Sequence, residues 1–213
     1  MNTPRHTTQR GFSLLELAIA LAVLAILTGG VLKGRELLNS AKVQAASTDL
    51  ANLETAVTSF QSRYAALPGD FAASNAAGLG SRGGDGNGLI EGDEETAVFT
   101  HLQRAGFIQG DFVAPETEGA LCDARSCMES QFGGIYLLTN NLDGPSSREN
   151  ALAILIAEQA QAKLLAELDR KLDDGNPNRG SIQVLSADAE TCVTGDAWNE
   201  ANDPDCGALY FIR

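Results

Sequence analysis

The sequence predicts an α+β protein in which one long N-terminal helix packs on a small antiparallel sheet with additional helices. Three observations support this prediction. An apolar segment near the N-terminus continues into an amphipathic stripe at helical spacing, leucines at helical spacing follow later, and short runs of branched and aromatic residues lie between turn residues. The 213 residues are enough for one folded domain with an appended helix.

The apolar segment reads FSLLELAIALAVLAILTGGVL, from Phe12 to Leu32. As a helix it would be about 31 Å long, enough to cross the hydrocarbon core of a bilayer. The residues before it are polar and basic, which favours a cytoplasmic N-terminus. A secretory signal peptide is the alternative, but Glu16, the one charge in the segment, argues against it. Placing a carboxylate in an apolar core costs free energy unless the carboxylate has a partner. Glu16 therefore indicates a functional role for this residue.

The helical pattern continues beyond this segment. Apolar residues recur at steps of three and four as far as Tyr64, and the turn LPGD at residues 67–70 then predicts the end of the helix. We therefore expect one helix from about Ser13 to about Ala66. Three glycines near the end of the apolar segment each lower helix stability by roughly 1 kcal/mol and indicate either a hinge or close packing against another helix. These glycines are Gly29, Gly30 and Gly34.

The start of this helix carries a family resemblance. Residues 10–16, Arg-Gly-Phe-Ser-Leu-Leu-Glu, resemble the class III signal of type IV pilins and of the pseudopilins of type II secretion. The resemblance implies that a membrane-embedded aspartyl prepilin peptidase cuts between Gly11 and Phe12 and methylates the amine of Phe12, so that the apolar segment is retained. It also implies that Glu16 neutralises the N-terminal amine of a neighbouring subunit, since either charge alone is unfavourable in an apolar bundle.

The resemblance and the helical pattern together divide the chain into four parts. They predict a leader at residues 1–11, a transmembrane and assembly segment at 12–33, the amphipathic half of the same helix at 34–67, and a globular domain at 68–213, for which the resemblance implies a type IV pilin-like fold. The expected protein spans the inner membrane once with its C-terminal domain in the periplasm. After assembly it would belong to an extracellular filament.

The expected function is that of a structural subunit, a major or minor pilin, of a type IV pilus-like filament that serves adhesion or a related task. Its expected partners are prepilin peptidase, identical or related pilin subunits, the inner membrane, and the assembly platform of a pilus or secretion system. Two alternatives stay open at this point. One is a pseudopilin of a type II secretion system, and the other is a membrane-anchored extracytoplasmic binding domain or enzyme.

Charge and motif content bear on these alternatives. The net charge is −13, and loss of Arg5 and Arg10 with the leader would bring it to −15, which argues against nucleic acid as a partner. The sequence has no glycine-rich phosphate-binding loop, and it has no nucleophile and histidine at the spacing of a known catalytic motif. We therefore expect no enzymatic activity.

All four cysteines lie in the C-terminal half, and they favour disulfides outside the cytoplasm over free thiols or a zinc site. Short loops favour the pairs Cys122 with Cys127 and Cys192 with Cys206, although sequence alone does not fix the pairing. The second loop resembles the disulfide-bounded region of type IV pilins. It contains Trp198 and several acidic residues, so we expect a surface-exposed recognition element; the alternative is a staple that holds the last strand.

A calcium site is a further expectation. In the glycine-rich loop at residues 78–92 and directly after it, Asp85, Asn87 and Glu94 match the relative spacing of ligands in an EF-hand loop, and Gly88 matches the sharp bend. Gly83 stands where the first ligand should be, which weakens the match. The alternative is a cluster of Asn-Gly and Asp-Gly turns that binds nothing.

The remaining predicted helices are two. A short helix from Glu94 to Ala105 should bury Val98, Phe99 and Leu102, end at Gly106, and leave His101 on its outer face without a role. A longer helix should begin at the capping pair of Ser146 and Glu149, present leucines from Leu152 to Leu172 on one face, and end at Asp173.

Three runs are expected to form the antiparallel sheet. They are rich in branched and aromatic residues and are bounded by turns. The runs are Gly134 to Thr139, Ser181 to Ser186 and Ala208 to Ile212.

Overall fold

The computed structural model describes residues 13–72, 78–79, 83–140, 150–185 and 188–212. The chain divides into two compact units, Met1–Ala41 and Lys42–Arg213, and we call the second the globular unit. The helices are α1 (Leu14–Tyr64), a 3₁₀ helix (Gly92–Ala97), α2 (Val98–Arg104), α3 (Ala162–Leu172) and α4 (Ala189–Cys192). The strands are β1 (Leu137–Thr139), β2 (Ala153–Gln161), β3 (Ile182–Val184), β4 (Val193–Thr194), β5 (Ala197–Trp198) and β6 (Asp205–Phe211).

The first helix, α1, is 51 residues long and begins and ends within two residues of the predicted bounds. It runs without a break through the three glycines at 29, 30 and 34, so the structure shows no hinge there. Packing of these glycines against another helix stays a prediction, and a Cβ added at any of them would lie in open space. The helix ends because Ala65 adopts a left-handed conformation with φ of 55°, and Pro68 follows.

The stripe predicted on the second half of α1 forms the centre of the core of the globular unit. Leu50, Val57 and Phe60 have no exposed surface. The ring of Phe60 lies 4.5 Å from that of Tyr64 and meets the ring of Phe71 edge-on at 6.0 Å, measured between ring centres. Each large apolar side chain that is fully buried contributes about 1.5–3 kcal/mol, so this half of α1 stabilises the unit strongly.

The sheet is antiparallel, as predicted, and its four strands have the order β1-β2-β6-β3. In register, Tyr210 of β6 lies opposite Ile154 of β2 on one side and opposite Ile182 of β3 on the other. Two of the predicted runs contain β1 and β3 entirely, whereas the third overlaps β6, which begins three residues before the run, at Asp205. Ser186, the last residue of one run, and the capping pair at 146 and 149 lie outside the described residues.

The long helix predicted from the capping pair to Asp173 is wrong before Ala162: residues 153–161 form strand β2, and the helix α3 begins only at Ala162. Ile154 and Ile156 are both fully buried, which is the alternation expected of a strand. Over so few residues this alternation cannot be distinguished from the helical spacing of Leu152 and Leu155. Strand β2 pairs with β1 on one side and with β6 on the other. This non-local pairing, which depends on residues far away in the chain, decides the structure.

The predicted short helix consists of the 3₁₀ helix followed by α2. Val98, Phe99 and Leu102 are fully buried, as predicted. The segment ends at Gly106, whose φ of 81° is readily accessible only to glycine.

Replacing Phe60 with alanine should lower the free energy of unfolding by about 3–5 kcal/mol, because a cavity opens at the centre of the core. Thr58→Ala, at an exposed position of the same helix, should change it by about 0.5 kcal/mol or less. Urea unfolding of the full-length chain in detergent can be followed by the fluorescence of Trp198, the one tryptophan of the chain, which is buried. Equal losses in the two variants would contradict this account of the core.

Candidate functional site

The first candidate site is the surface of α1 within the unit Met1–Ala41. Leu14 is 88% exposed and Ile26 is 75% exposed, and their large apolar neighbours are exposed as well. One helix of the described part of the chain, α1, contains a window long and apolar enough to cross a membrane. An apolar surface of this extent marks contact with lipid or with protein. The exposed side chains are Leu14, Leu15, Leu17, Ile19, Leu21, Val23, Leu24, Ile26, Leu27, Val31, Leu32, Leu37 and Leu38.

Glu16 lies at the beginning of this surface, in the first turn of α1. There a carboxylate interacts favourably with the positive end of the helix dipole. The hydroxyl of Ser13 accepts a hydrogen bond from the backbone N–H of Leu15 at 3.3 Å and so caps the helix start. Gly11 and Phe12, the predicted cleavage pair, lie outside the described residues.

The sequence at this end matches a known family model. Residues 6–32 match the model of the prokaryotic N-terminal methylation motif. The chain carries a class III prepilin signal. No curated protein and no solved structure matches the chain significantly.

The prepilin signal covers the end of the leader, the predicted cleavage pair, Glu16 and the apolar segment through Leu32. It supports a prepilin-type substrate and points to a structural subunit rather than to an enzyme. The α+β fold, with one long N-terminal helix and an antiparallel sheet, is consistent with a pilin-like fold. The signal and the apolar helix together fit an inner-membrane anchor.

The second candidate site is a cluster of three carboxylates, which we call the carboxylate cluster. It consists of Asp70, Asp85 and Glu94, each of which offers an oxygen within 4.8 Å of the others. Asp85 and Glu94 are two of the predicted calcium ligands. The loop has Gly83 at the position of the first EF-hand ligand, and Asp70, from the turn after α1, supplies the third carboxylate of the cluster instead. The amide oxygen of Asn87, the remaining predicted ligand, accepts a hydrogen bond from the backbone N–H of Leu89 at 2.7 Å.

Backbone N–H groups surround the carboxylate of Asp70. One of its oxygens accepts hydrogen bonds from Gly86 at 2.7 Å and Asn87 at 3.1 Å, and the other accepts one from Gly88 at 2.7 Å. Glu94 accepts one from the backbone of Asp85 at 2.9 Å. These bonds hold the turn after α1, the glycine-rich loop and the 3₁₀ helix together.

Burial and the charges of the neighbouring carboxylates raise the pKa of Glu94, against the hydrogen bonds that lower it. A cation placed among the three groups would offset this repulsion. The donors are all oxygens, which suits a hard cation such as calcium better than zinc.

Glycine is required at the centre of this packing. A Cβ at Gly84 would lie 2.4 Å from the Cα of Asp70 and 2.5 Å from a carboxylate oxygen of Glu94. Gly69 has a φ of 96°, and a Cβ there would lie 2.7 Å from the carbonyl oxygen of Glu94. Gly84 of the loop and Gly69 of the turn after α1 therefore allow the backbone to lie close to the carboxylates.

The prediction that His101 lies on the surface is wrong. Its side chain is fully buried, and its Nδ1 accepts a hydrogen bond from the backbone N–H of Gly69 at 2.9 Å. The imidazole stacks on Phe60 at 6.1 Å and meets Phe71 edge-on at 6.3 Å, measured between ring centres. Burial lowers its pKa to about 4. The sequence did hold a signal, because His101 follows the buried Val98 by three residues and so shares its helix face.

The disulfide-bounded loop is the third candidate site. The structure contains the disulfides Cys192–Cys206 and Cys122–Cys127, the two pairings that the short loops favour. The prediction of an exposed recognition element is wrong for Trp198, which is 5% exposed and whose Nε1 donates to the carboxylate of Asp169 at 2.8 Å. Burial raises the pKa of Asp169 to about 6.

Two further contacts fix this loop on α3. The carboxylate of Asp203 accepts a hydrogen bond from the backbone N–H of Lys163 at 3.0 Å, in the first turn of the helix. At the other end, Arg170 and Glu200 form an ion pair at 2.7 Å. These contacts tie the loop to both ends of α3, and its disulfide joins it to the last strand, β6, through Cys206.

Acid should destabilise the globular unit through His101. The unfolded chain binds a proton on this histidine near pH 6.5, whereas the folded chain binds it near pH 4, so stability falls as pH drops between these values. The loss amounts to about 3 kcal/mol at most, at about 1.4 kcal/mol per pKa unit. His101→Gln keeps an acceptor for Gly69 but does not titrate.

The measurement is urea unfolding of both chains at intervals from pH 7 to pH 4, with Trp198 fluorescence as the signal. Asp169 titrates in the same range with the opposite sign, since its raised pKa lowers stability as pH rises from about 4 to 6. This contribution is common to both chains and cancels in their difference. The histidine has no such role if the difference in unfolding free energy stays constant with pH.

Proposed function

We propose that this chain is a structural subunit, a major or minor pilin, of a type IV pilus-like filament. In this proposal prepilin peptidase cuts between Gly11 and Phe12 and methylates the new amine of Phe12. The observation that carries the proposal is the prepilin signal at residues 6–32, whose residues from Leu14 onward lie in a helix with exposed apolar side chains.

The chemistry of the signal supports this processing. Gly11 has no side chain, so the backbone can extend into a protease cleft. Cleavage before Phe12 makes Glu16 the fifth residue of the mature chain and leaves the apolar segment attached to the globular unit. In a filament the carboxylate of Glu16 neutralises the N-terminal amine of a neighbouring subunit, because both charges are otherwise unfavourable in an apolar environment.

The proposed location follows from the same features. The apolar half of α1 anchors the chain in the inner membrane, and the basic residues of the leader keep its N-terminus in the cytoplasm. The globular unit then lies in the periplasm, where its two disulfides can form. A pseudopilin of type II secretion would share this location, and filament length on the cell surface distinguishes the two.

Processing can be tested in the bacterium that makes the protein. Wild-type chain should begin at Phe12 and carry one added methyl group by intact mass. Gly11→Leu should retain the leader, since a side chain there obstructs the peptidase. Glu16→Ala should be cut normally but lost from sheared surface filaments, whereas Glu36→Ala, at an exposed position of the same helix, should assemble.

Two outcomes would contradict the proposal. Wild-type chain that begins at Met1 is not a prepilin-type substrate. Glu16→Ala filaments of normal yield would show that this carboxylate has no part in assembly.

For the carboxylate cluster, calcium is the ligand that its chemistry supports. Asp70, Asp85 and Glu94 would be its ligands, together with oxygens of the surrounding loop. Bound calcium would strengthen the junction between the turn after α1 and the 3₁₀ helix. It would have no catalytic task in this proposal.

Calcium should raise the thermal midpoint of the full-length chain in detergent, by an amount equivalent to about 2.7 kcal/mol at one hundred times its dissociation constant. Asp85→Asn should abolish the increase. Asp111→Asn removes the same charge at an exposed position outside the cluster and should keep it. An increase that is equal in all three chains, or is absent from the wild type, would exclude a calcium site here.

A further inference from the structure

A groove on the globular unit is lined by apolar side chains that reach the surface. It has a volume of about 310 Å³, and Leu137 of β1 and Leu155 of β2 line it together with Leu121. Leu121 is 88% exposed and directly precedes Cys122, whose disulfide restricts the loop. A leucine exposed to this extent beside further apolar surface is typical of an interaction site.

Glu95 is the one charged side chain among the described residues that line this groove. Its carboxyl is half-buried, and burial, together with the charge of Glu91, raises its pKa. Asp93 and Glu94 lie in the same first turn of the 3₁₀ helix. A surface that presents a cation beside an apolar group would therefore match the groove in charge and in polarity.

The opposite end of the segment formed by the 3₁₀ helix and α2 is basic. Arg104 lies in the last turn of α2, and Nη1 of Arg63 donates to the carbonyl of Ala105 at 3.4 Å, so both arginines lie at this end. The guanidinium carbon of Arg63 lies 5.3 Å from the ring centre of Tyr64. We call this surface, which combines two cations with a half-exposed ring, the basic corner.

The charge of the globular unit makes a contact between these surfaces favourable. Residues 42–213 contain 26 acidic and 11 basic side chains, a net charge of −15. Copies of so acidic a unit repel one another unless cations of one copy meet anions of the next. The groove and the basic corner are different patches, so a contact between them is heterologous and can repeat from copy to copy.

We propose that the groove of one copy binds the basic corner of a second copy, with Glu95 opposite Arg104 and Leu121 against the ring of Tyr64. This inference rests on the proposed function, because a filament requires contacts that repeat. It adds a specific contact between globular units to the assembly through α1.

The test uses the full-length chain, made in its own bacterium in place of the wild-type copy, with a photoreactive benzophenone amino acid at Leu121. Irradiation should give covalent dimers and higher multiples, and mass spectrometry should place the cross-link on a peptide that contains Tyr64. The same amino acid at Thr194, which is exposed on β4 and does not line the groove, is the matched control. It should give at least tenfold less dimer.

Charge reversal provides an independent measurement. Arg104→Glu should reduce the cross-link from position 121 at least tenfold, because it places acid against acid. Adding Glu95→Lys to that chain should restore part of the yield. Lys163→Glu makes the same change in net charge at an exposed position on α3 and should leave the yield unchanged.

A cross-link to lipid, to another protein or to a different part of a second copy overturns the contact. So does the absence of a cross-link, or a yield that Arg104→Glu leaves unchanged. The N-terminal residue, determined on the same preparation, separates this inference from the proposed function. Chains that begin at Phe12 and polymerise without the contact overturn the contact alone, whereas unprocessed monomeric chains overturn the filament function as well.

Discussion

One helix that meets two different surroundings is the constraint on which the rest of the structure depends. In its first part, α1 exposes leucines and isoleucines that water does not solvate well, and Glu16 is the one acidic side chain among them up to Leu32. In its second part, the same helix buries Leu50, Val57 and Phe60 in the core of the globular unit. Because the helix belongs to both units, the globular unit cannot complete its core without part of the element that carries the prepilin signal.

The turn after α1 connects the end of this helix to the glycine-rich loop through hydrogen bonds. His101 accepts a hydrogen bond from the backbone of Gly69, and the next residue, Asp70, accepts hydrogen bonds from three successive residues of the glycine-rich loop. A segment that would otherwise lack regular structure is thereby fixed against the helix end. This also explains how carboxylates distant in sequence come together, since Asp70 and Glu94 both contact the same loop.

The periodicity of apolar residues predicted the helices whose buried side chains recur at helical spacing. The bounds of α1 and the apolar side chains that its second half and α2 bury could be predicted because apolar residues recur at helical spacing. Strand β2 was missed because its pairing with β6 involves residues about 50 positions away, which no local pattern encodes. Asp70 and the contact of Trp198 with Asp169 were missed for the same reason. The prepilin signal was found because its residues are contiguous.

The acidic side chains of the globular unit stabilise its backbone as well as give its surface a negative charge. Many of its carboxylates accept hydrogen bonds from backbone N–H groups in turns and at helix starts, where the sheet and the helices offer no acceptor. Such a carboxylate replaces a missing backbone acceptor. Removing the carboxylate would leave a backbone N–H of the turn without a hydrogen-bond partner, even where the removal reduced repulsion between copies. Net charge therefore overstates the charge that can be altered freely, and under the proposed function the cations would have to be concentrated at the contacts between copies. Acids in this backbone role are Asp70, Asp123, Asp169, Asp174 and Asp203.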